Sequence, residues 1–194
     1  MTLGQRGKNL IIISGPSGTG KTTAVEHILK LIPSSSRLVT TTSRSPREGE
    51  TNGKDYWFLS REEFLLEVSK GDFIEWVESY GNFYGTSYSK ILPLLKDSSV
   101  VLAIVDIRGA ISLKKIFPEA SSVFIKPDSL DRLEKTICSR SSSVEEVNER
   151  IRGITEKIEQ ANKFDHIVIN IEGQLDRTVS EIMGIVKISG TKNP

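Results

Sequence analysis

The chain has 194 residues, 37% hydrophobic and 26% charged, enough for one compact domain or one domain carrying a smaller inserted lobe. Lys and Arg total 26 against 25 Asp and Glu, and the net +1 excludes bulk attraction to nucleic acid or anionic membrane, so basic chemistry must be local. Cys138 is the single cysteine, which excludes an intrachain disulfide; no apolar run reaches bilayer length, and "MTLGQRGKN" lacks the apolar stretch of a secretory signal, so a cytoplasmic setting is expected.

In chain order, "NLIIIS" (9–14) is a β-branched run of the kind buried on both faces of a sheet, and residues 20–31 follow as a helix. "PSSSR" (33–37) reads as a serine-rich loop. "DYWFLS" (55–60), "DFIEWVESY" (72–80) and "NFYGT" (82–86) are short aromatic strands, the last two joined by a "YGNF" turn. Between them Ser60-x-x-Glu63 has the pattern of a capping box opening the helix "REEFLLEVSK". "SSVVLAIVD" (98–106), "SSVFIK" (121–126) and "DHIVIN" (165–170) are further buried-type strands, followed by helices over 108–117, 129–138 and 174–187. "SRSSSVEE" (139–146) is a second serine-rich loop, in which Ser143-x-x-Glu146 opens a long helix through Ala161. Strand and helix alternate at both ends but not in the middle. The expected fold is α/β: a three-layer parallel-sheet core with a mixed α+β lobe inserted over 37–89.

"GPSGTGKT" (15–22) matches G-x-x-x-x-G-K-[ST] and sits after an apolar strand and before a helix, as a phosphate-binding P-loop requires. Gly15, Gly18 and Gly20 let backbone N–H groups turn inward around phosphate oxygens, with Pro16, Ser17 and Thr19 between them. Lys21 is a point charge for terminal phosphates, Thr22 can ligate magnesium, and the helix dipole faces the same anion, with Thr23 in its first turn. MgATP is the simplest ligand, yet kinases, GTPases and other triphosphate-driven machines all remain open. His27 and His166 form no ligand cluster, so magnesium would arrive with the nucleotide.

"TTTSRSPREGETNGKDY" (40–56) sets Arg44 and Arg47 three apart, with Glu50 three further on. Guanidinium forks suit phosphate oxygens, Glu50 can hold one of them, and the phenols of Tyr56 and Tyr84 can donate to the same anion. Alone, R-x-x-R is ordinary solvated-loop chemistry; a P-loop at this offset makes a second phosphate grip the better reading. Glu75 in "FIEW" reads by alternation as an exposed strand residue between buried Ile74 and Trp76.

"SGPSGTGKTT", "TSRSPREGETNGKDY", "FIEW", "NFYGT" and "VIN" together resemble the guanylate kinase family, over about Leu10 to Ile185. The resemblance implies reversible phosphate transfer from MgATP to GMP, with dGMP as a further acceptor, on a P-loop core (1–36 and 90–194), a GMP-binding lobe (37–89) and a helical lid near 136–150. It implies that Thr40, Arg44, Arg47, Glu50, Tyr56, Tyr84 and Gly85 surround the GMP phosphate and its neighbourhood. Glu75, Thr86 and Asp106 would read guanine, whose two donors match an acceptor-only carboxylate. Asn170 would lie near adenine, Arg140 and Arg150 would reach the transferring phosphate from the lid, and Asp106 could also orient magnesium through water.

Three positions depart from the family pattern. Thr136 stands where an arginine is usual, Ile104 replaces the first acid of an acid-x-acid pair, and Arg108 replaces a glutamine. They leave room for a catalytically weak guanylate-kinase-like binding module. The intact Gly20-Lys21-Thr22 argues against that rival, and the "SPREGE" and "FIEW" pair argues against a kinase for another phosphorylated acceptor. No water-positioning element of a GTPase is visible.

Overall fold

A computed structural model describes residues 7–79, 81–130, 133 and 153–190. The first sheet has five strands in the order β2-β7-β1-β8-β9, namely Ser35–Leu38, Val100–Ile104, Leu10–Ser14, Ser121–Pro127 and His166–Asn170, all paired in parallel. β1 lies at its centre, and each of its five residues is at most 1% exposed. Strand side chains alternate between faces. Leu10 and Ile12 therefore pack with Ala110 and Leu113 of helix α4 (Ile107–Ile116) and with Phe117 just after it, while Ile11 and Ile13 pack with Ala24, Val25 and Ile28 of α1 (Lys21–Leu31). Val179, Ile182 and Val186 of α6 (Leu175–Gly190) join the second cluster. Two cores sandwich one sheet, the three-layer arrangement expected.

The second sheet is mixed, in the order β4-β3-β6-β5: Trp57–Phe58, Thr41–Thr42, Asn82–Ser87 and Phe73–Ser79. β3 and β4 are parallel, and the other pairings are antiparallel. Helix α2 (Arg61–Ser69) covers one face through fully buried Phe64, whose ring stacks on Phe73 at 4.5 Å and lies 5.3 Å from Phe83. Its capping box forms as read: Glu63 N–H donates to Ser60 Oγ (3.1 Å), and Ser60 N–H donates to Glu63 Oε2 (2.7 Å).

Several expectations change. "PSSSR" is not all loop, because Ser35–Leu38 forms edge strand β2 against β7, and its serines find partners: Ser98 Oγ donates to Ser36 Oγ at 2.8 Å. Pairing with a buried neighbour overrides weak strand propensity there. The strand over 55–60 shrinks to Trp57–Phe58, since Asp55 accepts from Thr51 N–H (2.8 Å) in a turn. Helix α3 (Tyr88–Asp97) was absent from the sequence reading; it carries Pro93 in its interior. The helix expected through Ala161 is, among the described residues, a short α5 (Ile154–Glu159) behind Gly153, passing into a 3₁₀ turn at Gln160–Lys163. The Ser143 cap, most of the helix over 129–138 and the lid segment 136–150 lie outside the described residues.

Candidate active site

The loop after β1 turns on three glycines at positive φ: Gly15 at +141°, Gly18 at +83° and Gly20 at +80°. A side chain at Gly15 would overlap the Ile125 carbonyl oxygen, and one at Gly20 would come within 2.6 Å of Asn170 Nδ2. Glycine is thus required by both conformation and space. Lys21 Nζ donates to the carbonyls of Gly15 (2.8 Å) and Pro16 (2.6 Å), and buried Thr19 Oγ1 donates to the Pro16 carbonyl (2.9 Å). The ammonium therefore lies across the mouth of the loop, at the N-terminus of α1, where an anion gains from both charge and dipole. Ser17, Thr22 and Thr23 are exposed around it.

Asn170, at the end of β9, is turned towards the loop. Its Nδ2 donates to the Thr19 carbonyl (3.0 Å), and its Oδ1 accepts from Thr178 Oγ1 (2.8 Å). The two bonds make it a prop beneath the P-loop.

In the second sheet Arg44 is anchored. Its Nη2 donates to both Glu50 oxygens (2.8 and 2.9 Å), and its Nη1 donates to the Ser45 carbonyl (2.6 Å). Glu50 also accepts the Arg47 backbone N–H (2.7 Å), so one carboxylate organises the whole turn. Burial alone would lower the Arg44 pKa, but the bonds and charge of Glu50 outweigh it and keep the guanidinium ionised. The guanidinium carbon lies 5.6 Å from the Tyr56 ring centroid, and the Tyr56 and Tyr84 rings meet edge-on at 6.1 Å. Burial, aided by Tyr84, raises the Tyr56 phenol against the pull of Arg44 and Arg37, so it stays a hydrogen-bond donor near neutral pH. Thr40 lies between the two sheets, its carbonyl accepting Trp57 N–H (2.9 Å).

Arg37, which no sequence motif marks, acts on the Tyr56 phenol through its charge. It is the penultimate residue of β2, and its Nε is buried without a hydrogen-bond partner.

Glu75 is placed by an irregularity. β5 and β6 pair Glu75 with Thr86 and Trp76 with Gly85, but the register shifts so that Phe73 pairs with Ser87. Ile74 is the extra residue of a β-bulge. Without it, Phe73 and Glu75 would share a face. With it, Phe73 packs on Phe64 beside Gly85, where a Cβ would come within 2.6 Å of its ring, while Glu75 faces the opposite way with Thr86. The expected alternation fails here: Trp76 is 42% exposed and Glu75 is half-buried. Glu75 Oε1 and Asp106 Oδ1 approach one point above Gly109, at 3.3 and 3.2 Å from where its Cβ would stand. Asp106 caps α4 by accepting Gly109 N–H at 2.7 Å. Burial pushes the Glu75 carboxyl up to about 7; Asp106 pushes the same way and Thr86 opposes. Thr86 Oγ1 is buried beside this carboxyl without a well-angled hydrogen bond. Arg108, next to this cluster in sequence, is exposed.

Among the described residues no three His, Cys, Asp or Glu side chains gather as a metal site. Thr22 and Asp106 are few, hard oxygen donors. Such a set fits magnesium that brings phosphate and water ligands with it, and does not fit a resident transition metal. Arg140, Arg150 and Thr136 lie outside the described residues.

The parallel sheet, the glycine loop and its lysine define a P-loop protein of the kinase type. The family model described as guanylate kinase matches residues 7–188, and the chain belongs to that family. It is 41% identical to a guanylate kinase of Prochlorococcus marinus over 92% of this chain and 96% of that one. It is 36% identical to one of Helicobacter pylori over 92% and 86%. A crystal structure of guanylate kinase from Anaplasma phagocytophilum superposes with a TM-score of 0.76 at 26% identity, covering 99% of this chain and 91% of that one. No helix among the described residues is long and apolar enough to cross a membrane.

Proposed function

We propose that the protein is an ATP:GMP phosphotransferase, moving the γ-phosphoryl of MgATP onto GMP or dGMP to give ADP and GDP or dGDP. One observation carries this reading beyond family membership. Glu75 of the second sheet meets Asp106 over the N-terminus of α4, at the tip of β7, and β7 is the strand paired with the P-loop strand β1. An acceptor-only carboxylate with a buried hydroxyl beside it matches the two donors of guanine and mismatches adenine.

In this reading the backbone of Gly15–Gly20 and the Lys21 ammonium hold the triphosphate. Arg44, Arg47, Tyr56 and Tyr84 hold the GMP phosphate, and Glu50 keeps Arg44 aimed. The acceptor phosphate is already largely ionised at neutral pH, its second pKa being about 6, so no general base is needed. Catalysis is then alignment of the acceptor oxygen with the γ-phosphorus, together with neutralisation of charge. Thr22 would hold magnesium, with Asp106 beside it through water; the ion would supply positive charge to the triphosphate. By family position, Arg140 and Arg150 would add positive charge to the transferring group. Residues 37–89 would form the acceptor lobe and move on the core as substrates bind. A cytoplasmic enzyme suits the lone Cys138 and the nucleotide pair. A non-catalytic scaffold is disfavoured, because Lys21 is in place across the loop mouth.

ADP release measured with ATP and a panel of GMP, dGMP, AMP, CMP and UMP tests the proposal. Turnover is expected with GMP, weaker with dGMP, and little otherwise. Turnover of AMP with silence on GMP would refute it.

A further inference from the structure

The floor of the P-loop is held from the far end of the chain. Asn170 sits 151 residues from Thr19 in sequence, yet its amide nitrogen donates to the Thr19 carbonyl at 3.0 Å. An amide can be turned either way, and only one orientation makes this bond. The Thr19 carbonyl, which only accepts, selects it, and the Thr178 hydroxyl holds it there, because Oγ1 donates to Asn170 Oδ1 at 2.8 Å. The turned alternative would set Oδ1 against the Thr19 carbonyl, acceptor against acceptor. Thr178 is 1% exposed, so no solvent hydroxyl can readily take its place.

The consequence reaches the phosphate side through the planar trans peptide, in which C=O and N–H point in opposite directions. Gripping the Thr19 oxygen fixes the Gly20 N–H of the same peptide on the side away from Asn170. Gly20 is the left-handed residue (φ +80°) that opens α1, it has no side-chain cap, and it rests so closely on Asn170 Nδ2 that a Cβ would meet it at 2.6 Å. The loop therefore lies on the Asn170 amide, and the far end of that amide is anchored by Thr178.

We propose that Thr178 is a positioning residue of the triphosphate site, acting through Asn170 to hold the Thr19–Gly20 peptide in its phosphate-binding orientation. This rests on the triphosphate reading of the P-loop. It assigns a role in nucleotide capture to a buried residue of α6 that acts through another side chain.

The comparison that tests it is Thr178→Val and Thr178→Ala, which lack the hydroxyl, against Thr178→Ser, which keeps it. Three quantities are measured: KM for ATP and for GMP, equilibrium binding of a non-hydrolysable MgATP analogue, and amide exchange at Thr19–Lys21 in the nucleotide-free protein. Loss of the hydroxyl should weaken ATP and analogue about fivefold, the factor carried by one net hydrogen bond, with KM for GMP within about twofold of wild type. Exchange at Thr19–Lys21 should quicken, and the serine variant should restore all three quantities. If the valine variant does not fold, alanine against serine differs by the hydroxyl alone and carries the test. Unchanged ATP binding in the valine or alanine variant overturns the proposal, and so does an equal loss for ATP and GMP, which is general destabilisation. A wild-type protein that binds no triphosphate would sink the functional reading instead. Exchange at Thr19–Lys21 would then still decide whether Thr178 sets the loop.

Discussion

The two proposed anion grips are built on opposite principles. The P-loop is made of backbone: three left-handed glycines, carbonyls bridged by Lys21, and an amide prop from β9. Around it the central strands β1, β7 and β8 are buried on both faces, so its shape is fixed by close packing. The Arg44 site is made of side chains: two guanidinium groups and one organising carboxylate on a largely exposed turn, beside the half-buried phenols of Tyr56 and Tyr84. The first should tolerate no added atom and the second no lost charge.

The largest expected effect is at Gly15. Alanine there would combine a φ of +141° with overlap on the Ile125 carbonyl, costing roughly 2–6 kcal/mol against a typical stability of 5–15. Urea denaturation should show it. Gly49→Ala, at φ +82° with nothing within 4 Å, should cost only the left-handed strain of about 1–2 kcal/mol. Equal losses at both would erase the distinction between a packed loop and an open one.

Arg44→Ala should leave the fold intact and raise the GMP KM about 30-fold or more, as expected for removing one partner of a half-buried charge pair. Arg44→Lys should not restore it, since an ammonium cannot reproduce the fork. An unchanged GMP KM would remove the phosphate role.

Glu75 supplies a pH test. Guanine needs the ionised carboxylate, so GMP affinity should fall up to tenfold per unit as pH drops below about 7, and Glu75→Gln should flatten that dependence. The stability effect has the opposite sign. With the pKa raised from 4.5 to about 7, the folded state holds a proton that the unfolded state releases across that window. Stability should therefore fall as pH rises through it, by roughly 3 kcal/mol in total. Glu75→Gln should be the more stable protein at pH 8, and thermal melts at pH 5 and 8 check this.

The smallest effect is at Gly85, whose Cβ would press on the Phe73 ring. Gly85→Ala should shift the bulge and raise the GMP KM about threefold, while leaving the ATP KM alone. A change confined to ATP would place the bulge in the wrong site.

Contiguous chemistry was legible in the sequence. "GPSGTGKT" and "NLIIIS" each carry their whole mechanism within a few residues, and the capping box at Ser60–Glu63 does the same. What depended on partners distant in sequence was not legible. Serines gave no sign of β2 because its strand character comes from pairing with β7. Interior Pro93 obscured α3. The bulge at Ile74 breaks the period of two on which the reading of Glu75 and Trp76 relied. Family likeness pointed to Glu75, but only the register shift explains how it and Phe73 come to face opposite ways. The contact that turns Asn170 to Thr19 has no sequence signal, because it spans nearly the whole chain.

The central claim is that the triphosphate cradle and the guanine pocket face each other across one cleft. Calorimetric titration with a two-headed ligand, guanosine and adenosine joined through a polyphosphate long enough to fill both sites, tests it directly. The account predicts binding at least about 100-fold tighter than ATP or GMP alone, because the second head docks at high effective concentration. A two-headed ligand that binds no tighter than the better of the two nucleotides would contradict it.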